Sequence, residues 1–191
     1  IGGIILTDML KNCQLCPRAC GADRTKSRGA CGAGIEIEAA RASLHMWEEP
    51  PISGTNGSGT VFFSHCSLGC VFCQNRKISR REAEGQNITA DALAKTFLSL
   101  EKKGAHNINL VTGAHYVPQI IEALQIARKQ GLSLPVVYNS SGYEQVETLQ
   151  LLDGHIDIYL PDYKYYSSYY AGLYSHAEDY REFAVPAIDE M

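Results

Sequence analysis

Beyond residue 58 the chain alternates between short apolar runs and amphipathic stretches, and this alternation narrows the possible folds more than any other feature. The runs TVFFS (60–64), NINLV (107–111), LPVVY (134–138) and HIDIYL (155–160) are short and rich in β-branched or aromatic residues, as buried strands are. The first helical pattern opens with Thr89 as N-cap, places Leu93, Phe97 and Leu100 on one side and stops at Gly104. A second carries Pro118 in its first turn, sets Ile121, Leu124 and Ala127 or Arg128 down one side, and ends at Gly131. A third, weaker pattern runs from about Tyr143 to Leu152. Strand and helix alternating through short connections is the pattern of right-handed βαβ units and a parallel sheet, either a small doubly wound sheet or part of a barrel.

Polar residues cluster just past each expected strand: Ser64-His65-Cys66, Thr112-Gly113, Asn139-Ser140-Ser141-Gly142 and Asp162-Tyr163-Lys164. In a parallel α/β sheet the C-terminal strand ends share one face, and ligands bind there. The sequence therefore expects these four clusters to converge.

The first 58 residues have a different texture. They are rich in Gly, Cys and Arg, show little periodicity and close on EEPPISGTNGSG, which reads as a linker. Two regions are expected: 1–58, a cysteine-rich metal-binding segment with its linker, and 59–191, the strand–helix domain. A net charge of −4 offers no electrostatic reason to expect nucleic acid or an anionic membrane as partner. With no apolar run long enough to span a bilayer and no secretory leader, the reading expects a cytoplasmic protein. Ile1 is not a starting methionine and AVPAIDEM resembles an unfinished helix, so both ends are expected to be cut.

Seven cysteines fall into two groups, Cys13, Cys16, Cys20 and Cys31, then Cys66, Cys70 and Cys73, and none lies beyond. An odd number cannot all pair as disulfides, a cytosolic setting disfavours them, and tight spacing favours metal. The second group follows the first strand as C-x3-C-x2-C. Gly69 lets the backbone fold closely and turn amide N–H groups toward sulfur. Crowded thiolates need a cation, either zinc or iron–sulfur. Zinc wants a fourth ligand, and His65 is too near Cys66 in sequence to supply it comfortably; it reads as a loop residue. An iron–sulfur cluster on three thiolates keeps one iron open, and an open iron beside a polar pocket is reactive.

The stretch Cys66–Cys70–Phe72–Cys73, a C-x3-C-x-aromatic-C after the first strand, resembles the signature of the radical S-adenosylmethionine (SAM) superfamily. The wider text, CPRACG, EEPPISGTNGSGTVFF, CVFCQN, INLVTGAHYVPQIIEAL and YNSSGY, resembles its pyruvate formate-lyase activating enzyme-like branch over almost the whole chain. The resemblance implies a partial (β/α) barrel of parallel strands, cut short at the C-terminus, behind the small cysteine-rich region. It implies a 4Fe–4S cluster whose open iron is chelated by the methionine group of SAM. Reductive cleavage of SAM then yields a 5′-deoxyadenosyl radical that abstracts hydrogen, and no protein acid, base or nucleophile is needed for the cleavage. A low-potential electron donor of flavodoxin or ferredoxin type is implied, and a protein substrate, a glycyl-radical enzyme, for the activating branch. By the same resemblance Phe72 packs by the cluster and the adenine. Where activating enzymes carry Gly-Gly-Glu, this chain has Thr112-Gly113-Ala114-His115, so amine recognition falls to backbone carbonyls or Thr112, with Gly113 beside it. Asn139 and Ser140 match positions near the SAM carboxylate and ribose, and Asp162 and Lys164 face the pocket, the alternative for that pair being a surface ion pair.

The four N-terminal cysteines, C-x2-C-x3-C-x10-C, can close a tetrahedron unaided. Two readings stand: a structural zinc that folds a region too small for its own core, or a second iron–sulfur cluster, favoured because the other site is read that way. Two other readings of the whole chain remain, a zinc-stabilised scaffold without catalysis and an electron-transfer protein. Seven of the 11 tyrosines fall between Tyr159 and Tyr174 and read as cover for the barrel's side, RKISRRE as a solvated face, and Trp47, Glu48 and Glu49 receive no role.

Overall fold

The computed structural model of the chain describes residues 6–191, so the opening of the cysteine-rich region, residues 1–5, lies outside the described residues. Among the described residues six strands form one sheet: β1 (Ile37–His45), β2 (Ser58–Phe63), β3 (Gln86–Ile88), β4 (Ile108–Val111), β5 (Val136–Ser140) and β6 (Ile158–Pro161). Their spatial order is β3-β1-β2-β4-β5-β6. The four expected strands, β2, β4, β5 and β6, pair in parallel. The helices are α1 (Pro50–Ser53), α2 (Arg76–Ser79), α3 (Ala90–Lys102), α4 (Val117–Lys129), α5 (Val146–Gln150), α6 (Ser168–Ser175) and α7 (Tyr180–Glu190). The fold is α/β, a mostly parallel sheet of the kind a partial barrel requires.

The helix signals act as read. The Thr89 hydroxyl accepts from the Ala92 N–H at 3.2 Å, and α3 buries Leu93, Phe97 and Leu100. α4 carries Pro118 in its first turn and buries Ile120, Ile121, Leu124 and Ala127. The third pattern shrinks to α5, because Glu144 turns inward to accept from Ser140 and Tyr138 and Gln145 is extended.

The parallel strands present their two sides differently. Val61, Leu110 and Tyr138 lie side by side, fully buried under α3 and α4. One residue further along each strand, Phe62, Val111 and Asn139 form a row on the opposite face.

β1 and β3 were not expected. β1 lies inside the stretch read as cysteine-rich region and linker, yet it pairs antiparallel with β2 from Ala39 to His45, and β3 pairs antiparallel with β1. Residues 37–45 therefore share the sheet of the strand–helix domain. β1 escaped notice because three of its nine residues are Ala and one is Glu, both poor strand formers, and a register shift between Ala39 and Arg41 breaks its two-residue period. No helix among the described residues is long and apolar enough to cross a membrane.

Candidate functional site

The loop after β2 is fastened on all sides before it reaches its first thiol. The Ser64 N–H donates to Glu38 O and the His65 N–H to Ile78 O. His65, expected as an ordinary loop residue, is fully buried with φ +71°, its Nε2 lying 3.1 Å from Glu38 and its Nδ1 3.2 Å from Arg80 O. Gly69 takes φ +67°, a region most side chains avoid, and this turn aims the Gly69 and Leu68 N–H groups at the Cys66 sulfur. Arg80 donates to Gly69 O and Cys70 O at 2.9 and 3.0 Å. Arg18, from the N-terminal cysteine segment, donates to Ser67 O at 3.0 Å and also to Ser175 O and His176 O. Two guanidinium groups thus hold the loop's carbonyls.

The thiols open onto a cavity of about 500 Å³. Cys66, Cys70, Cys73 and Phe72 line it from this loop. Thr112 lines it from the end of β4, Asn139 and Ser140 from β5, and Asp162 and Lys164 from beyond β6. The expected convergence of strand ends is therefore present in the geometry. Thr112 has φ +62° and donates its N–H to Asn139 O at 3.0 Å, which ties two strand ends together. Asp162 and Lys164 pair with each other and still border the cavity, so ion pair and pocket are one arrangement. Phe72 meets Tyr165 and Tyr174 edge-on at 5.9 and 6.3 Å, and the tyrosine-rich segment reaches the site through these two rings.

Two expected ligand residues behave differently. Gly113 is absent from the cavity wall; its Cα faces the core, where an added Cβ would meet Ile120 at 2.7 Å and Tyr138 at 3.2 Å. Ser140 borders the cavity but donates its hydroxyl to the buried Glu144 at 2.5 Å and accepts from the Gly142 N–H at 3.0 Å. Burial pushes the Glu144 carboxyl up to about 7, and its second oxygen has no partner among the described residues.

The donor set suits a cluster. Burial, with Cys70 and Cys73 adding to it, pushes the Cys66 thiol up to about 11, so three thiolates here need positive charge between them. A cluster takes each thiolate on a different iron, and three thiols lining one cavity can supply that donor set.

In the N-terminal segment Cys13 and Cys16 are buried, Cys31 is half-buried and Cys20 is exposed. Burial pushes Cys16 up to about 12, with Cys31 and Cys13 contributing. The Cys20 and Cys31 sulfurs both lie 3.6 Å from where a Cβ on Gly29 would stand. Arg24, almost without exposed surface, donates to Gly34 O and His115 O and lies 3.8 Å from the Cys13 sulfur. Burial drives His115 down to about 3, so it is neutral, its Nε2 lying 2.8 Å from Ser64 O. Cys31 and Cys66 border a common cleft of about 420 Å³. Gly32 packs so closely beside the loop that a Cβ would meet Arg81 O at 2.6 Å and His65 Nδ1 at 2.8 Å.

Sequence reasoning missed His45, Trp47 and Glu48, which also line the cavity. His45 ends β1 and the other two follow it, and without that strand nothing in the sequence directs them to the sheet. Arg18 carried a signal that went unread: an arginine between Cys16 and Cys20 has thiols and loop carbonyls as neighbours whichever metal binds.

The chain matches the Radical SAM superfamily over residues 60–183 and belongs to it. Membership implies an enzyme domain that uses a 4Fe–4S cluster and SAM. An uncharacterized protein of Methanocaldococcus jannaschii is 31% identical over 166 residues, covering 84% of this chain and 48% of that protein. The chain thus spans about half the length of the curated relative it matches. The comparison with solved structures gives no match.

Proposed function

We propose that the chain catalyses reductive cleavage of SAM, with Cys66, Cys70 and Cys73 holding a 4Fe–4S cluster whose fourth iron is left for the methionine group. One observation carries this reading: the three thiols share a cavity with the ends of the other parallel strands at Thr112, Asn139 and Asp162. When bound, the cluster supplies the electron that splits the sulfonium C–S bond. The residues of the chain position and enclose. Asn139 offers both a donor and an acceptor at the wall, and Lys164 brings an ammonium held by Asp162, a combination suited to hydroxyl and carboxylate groups. Phe72, braced by two tyrosine edges, offers a ring to a purine.

The finer reading extends to the pyruvate formate-lyase activating-like branch, on the motifs CPRACG, EEPPISGTNGSGTVFF and CVFCQN. It brings a glycyl-radical enzyme as target, a flavodoxin- or ferredoxin-type donor and a cytoplasmic setting. For Cys13, Cys16, Cys20 and Cys31, a second iron–sulfur cluster is favoured over zinc, and the cleft that Cys31 and Cys66 both line supports this reading, since electron transfer needs neighbouring centres.

The test is anaerobic loading with iron and sulfide, then dithionite and SAM. Release of 5′-deoxyadenosine and methionine is expected, from protein holding about eight irons if both sites carry clusters, or about four with one zinc. A fully loaded protein that releases neither product refutes the reading.

A further inference from the structure

The cavity wall has, besides the thiols and the ends of the parallel strands, a group of residues from the end of β1 and just beyond it. Asn109 lies two residues before Val111 on β4, about 7 Å down the strand from the row formed by Phe62, Val111 and Asn139. Its Nδ2 donates to Glu48 Oε2 at 2.7 Å, which fixes the carboxylate of a residue arriving from beyond β1. Asn109 is fully buried, and its Oδ1 has no partner among the described residues. Glu48 itself borders the cavity and has no cationic partner among the described residues. Beside it stands Trp47, 89% exposed at the wall, with Phe62 also in the lining. An indole left in solvent beside a positioned carboxylate is the pairing that recognises organic cations, through ring face and ion pair together. Charge agrees: Lys164, the one lysine or arginine in the wall, is neutralised by Asp162, so Glu48 leaves the cavity acidic.

We propose that Trp47 and Glu48 bind a primary alkylammonium group of the substrate at the edge of the cavity that the residues after β1 form. The site is distinct from the place where SAM meets the cluster, because it lies about two residues lower on the strands than the thiol-bearing end. The inference rests on the function proposed above and names the substrate class for it: an amine-bearing molecule, either a free alkylamine or a lysine side chain of a protein.

Trp47 is the chain's one tryptophan, so its emission reports on the site directly. Cluster-loaded protein with SAM is titrated anaerobically with n-butylammonium, with butan-1-ol as the neutral match, and with an acetylated, amidated Gly-Lys-Gly peptide. Butylammonium is expected to perturb the emission and to bind about tenfold tighter than butanol. Glu48→Gln, which keeps the hydrogen bond from Asn109, is expected to bring the two near parity, and Glu48→Asp to restore part of the preference. Should Glu48→Gln fail to fold, Trp47→Ala at its exposed position is read by calorimetry and is expected to weaken butylammonium several-fold. A peptide that binds tighter than butylammonium assigns the amine to a protein, and the reverse order assigns it to a small molecule; either supports the inference. Equal affinity for butylammonium and butanol in the parent protein overturns it. SAM cleavage is scored on the same samples. Cation preference without cleavage counts against the function and supports this site, whereas cleavage without cation preference overturns this site alone.

Discussion

On the helix side of the sheet Val61, Leu110 and Tyr138 stand shoulder to shoulder with no exposed surface, while Phe62, Val111 and Asn139, their immediate neighbours in sequence, border the cavity. The same strands thus carry two programmes at a spacing of one residue. Strands in an ordinary parallel sheet are apolar on both sides, because helices cover both. Here helices α3 and α4 cover the first side, and the second keeps Thr60, Asn109 and Asn139, polar groups that would be costly if nothing occupied the space they face. The contrast teaches where to look for stability and where for chemistry.

The sharpest way to break the contrast is on the cavity side. Cys70→Ala removes one of the three thiols proposed to hold the cluster and is expected to lower 5′-deoxyadenosine release to background, with iron at that site lost in elemental analysis. Far-UV circular dichroism should barely change, because the helix-side core is untouched. A comparable loss of secondary structure would show that the two sides are one unit.

The helix side gives the next largest effect. Phe97→Ala empties a fully buried position against the sheet and is expected to cost about 3–5 kcal/mol in urea unfolding. Asn139→Ala, one strand away on the opposite face, is expected to cost under about 1 kcal/mol and to raise the SAM concentration needed for half-maximal cleavage. Reversal of that order would erase the distinction between the faces.

Glu144 sharpens the comparison, because it lies between them. Its carboxyl is raised on folding from 4.5 to about 7, so the folded state favours the protonated acid. That stability is fully present below pH 4.5 and is lost as pH rises through 7, by an amount of order 3 kcal/mol. Unfolding of the parent protein is expected to become easier from pH 5 to pH 8, and Glu144→Gln to flatten the part of that slope the carboxyl causes. An unchanged slope in the variant would assign the pH dependence to other groups.

What could be read from the sequence divides along the same line. All four parallel strands and the caps and faces of α3 and α4 were visible because they depend on local periodicity and on Thr89 and Pro118, signals a few residues long. The convergence of Cys66, Thr112, Asn139 and Asp162 was visible because strand direction in a parallel sheet puts such ends together. β1 was not visible, with its irregular register and its Ala and Arg residues, and Trp47 and Glu48 disappeared with it. Gly113 was placed beside the ligand by likeness of motif, but a glycine can serve a close packing contact as readily as a cofactor, and here it meets Ile120 and Tyr138. The inward turn of Glu144 depends on Tyr138 and Ser140, which no local pattern links to it.

Arg18 touches carbonyls on segments some fifty and a hundred and fifty positions away, at Ser67, Ser175 and His176. A single side chain therefore fastens the segment between Cys16 and Cys20 to the backbone next to Cys66 and to the turn that ends α6, so a displacement of any one of the three is carried to the others.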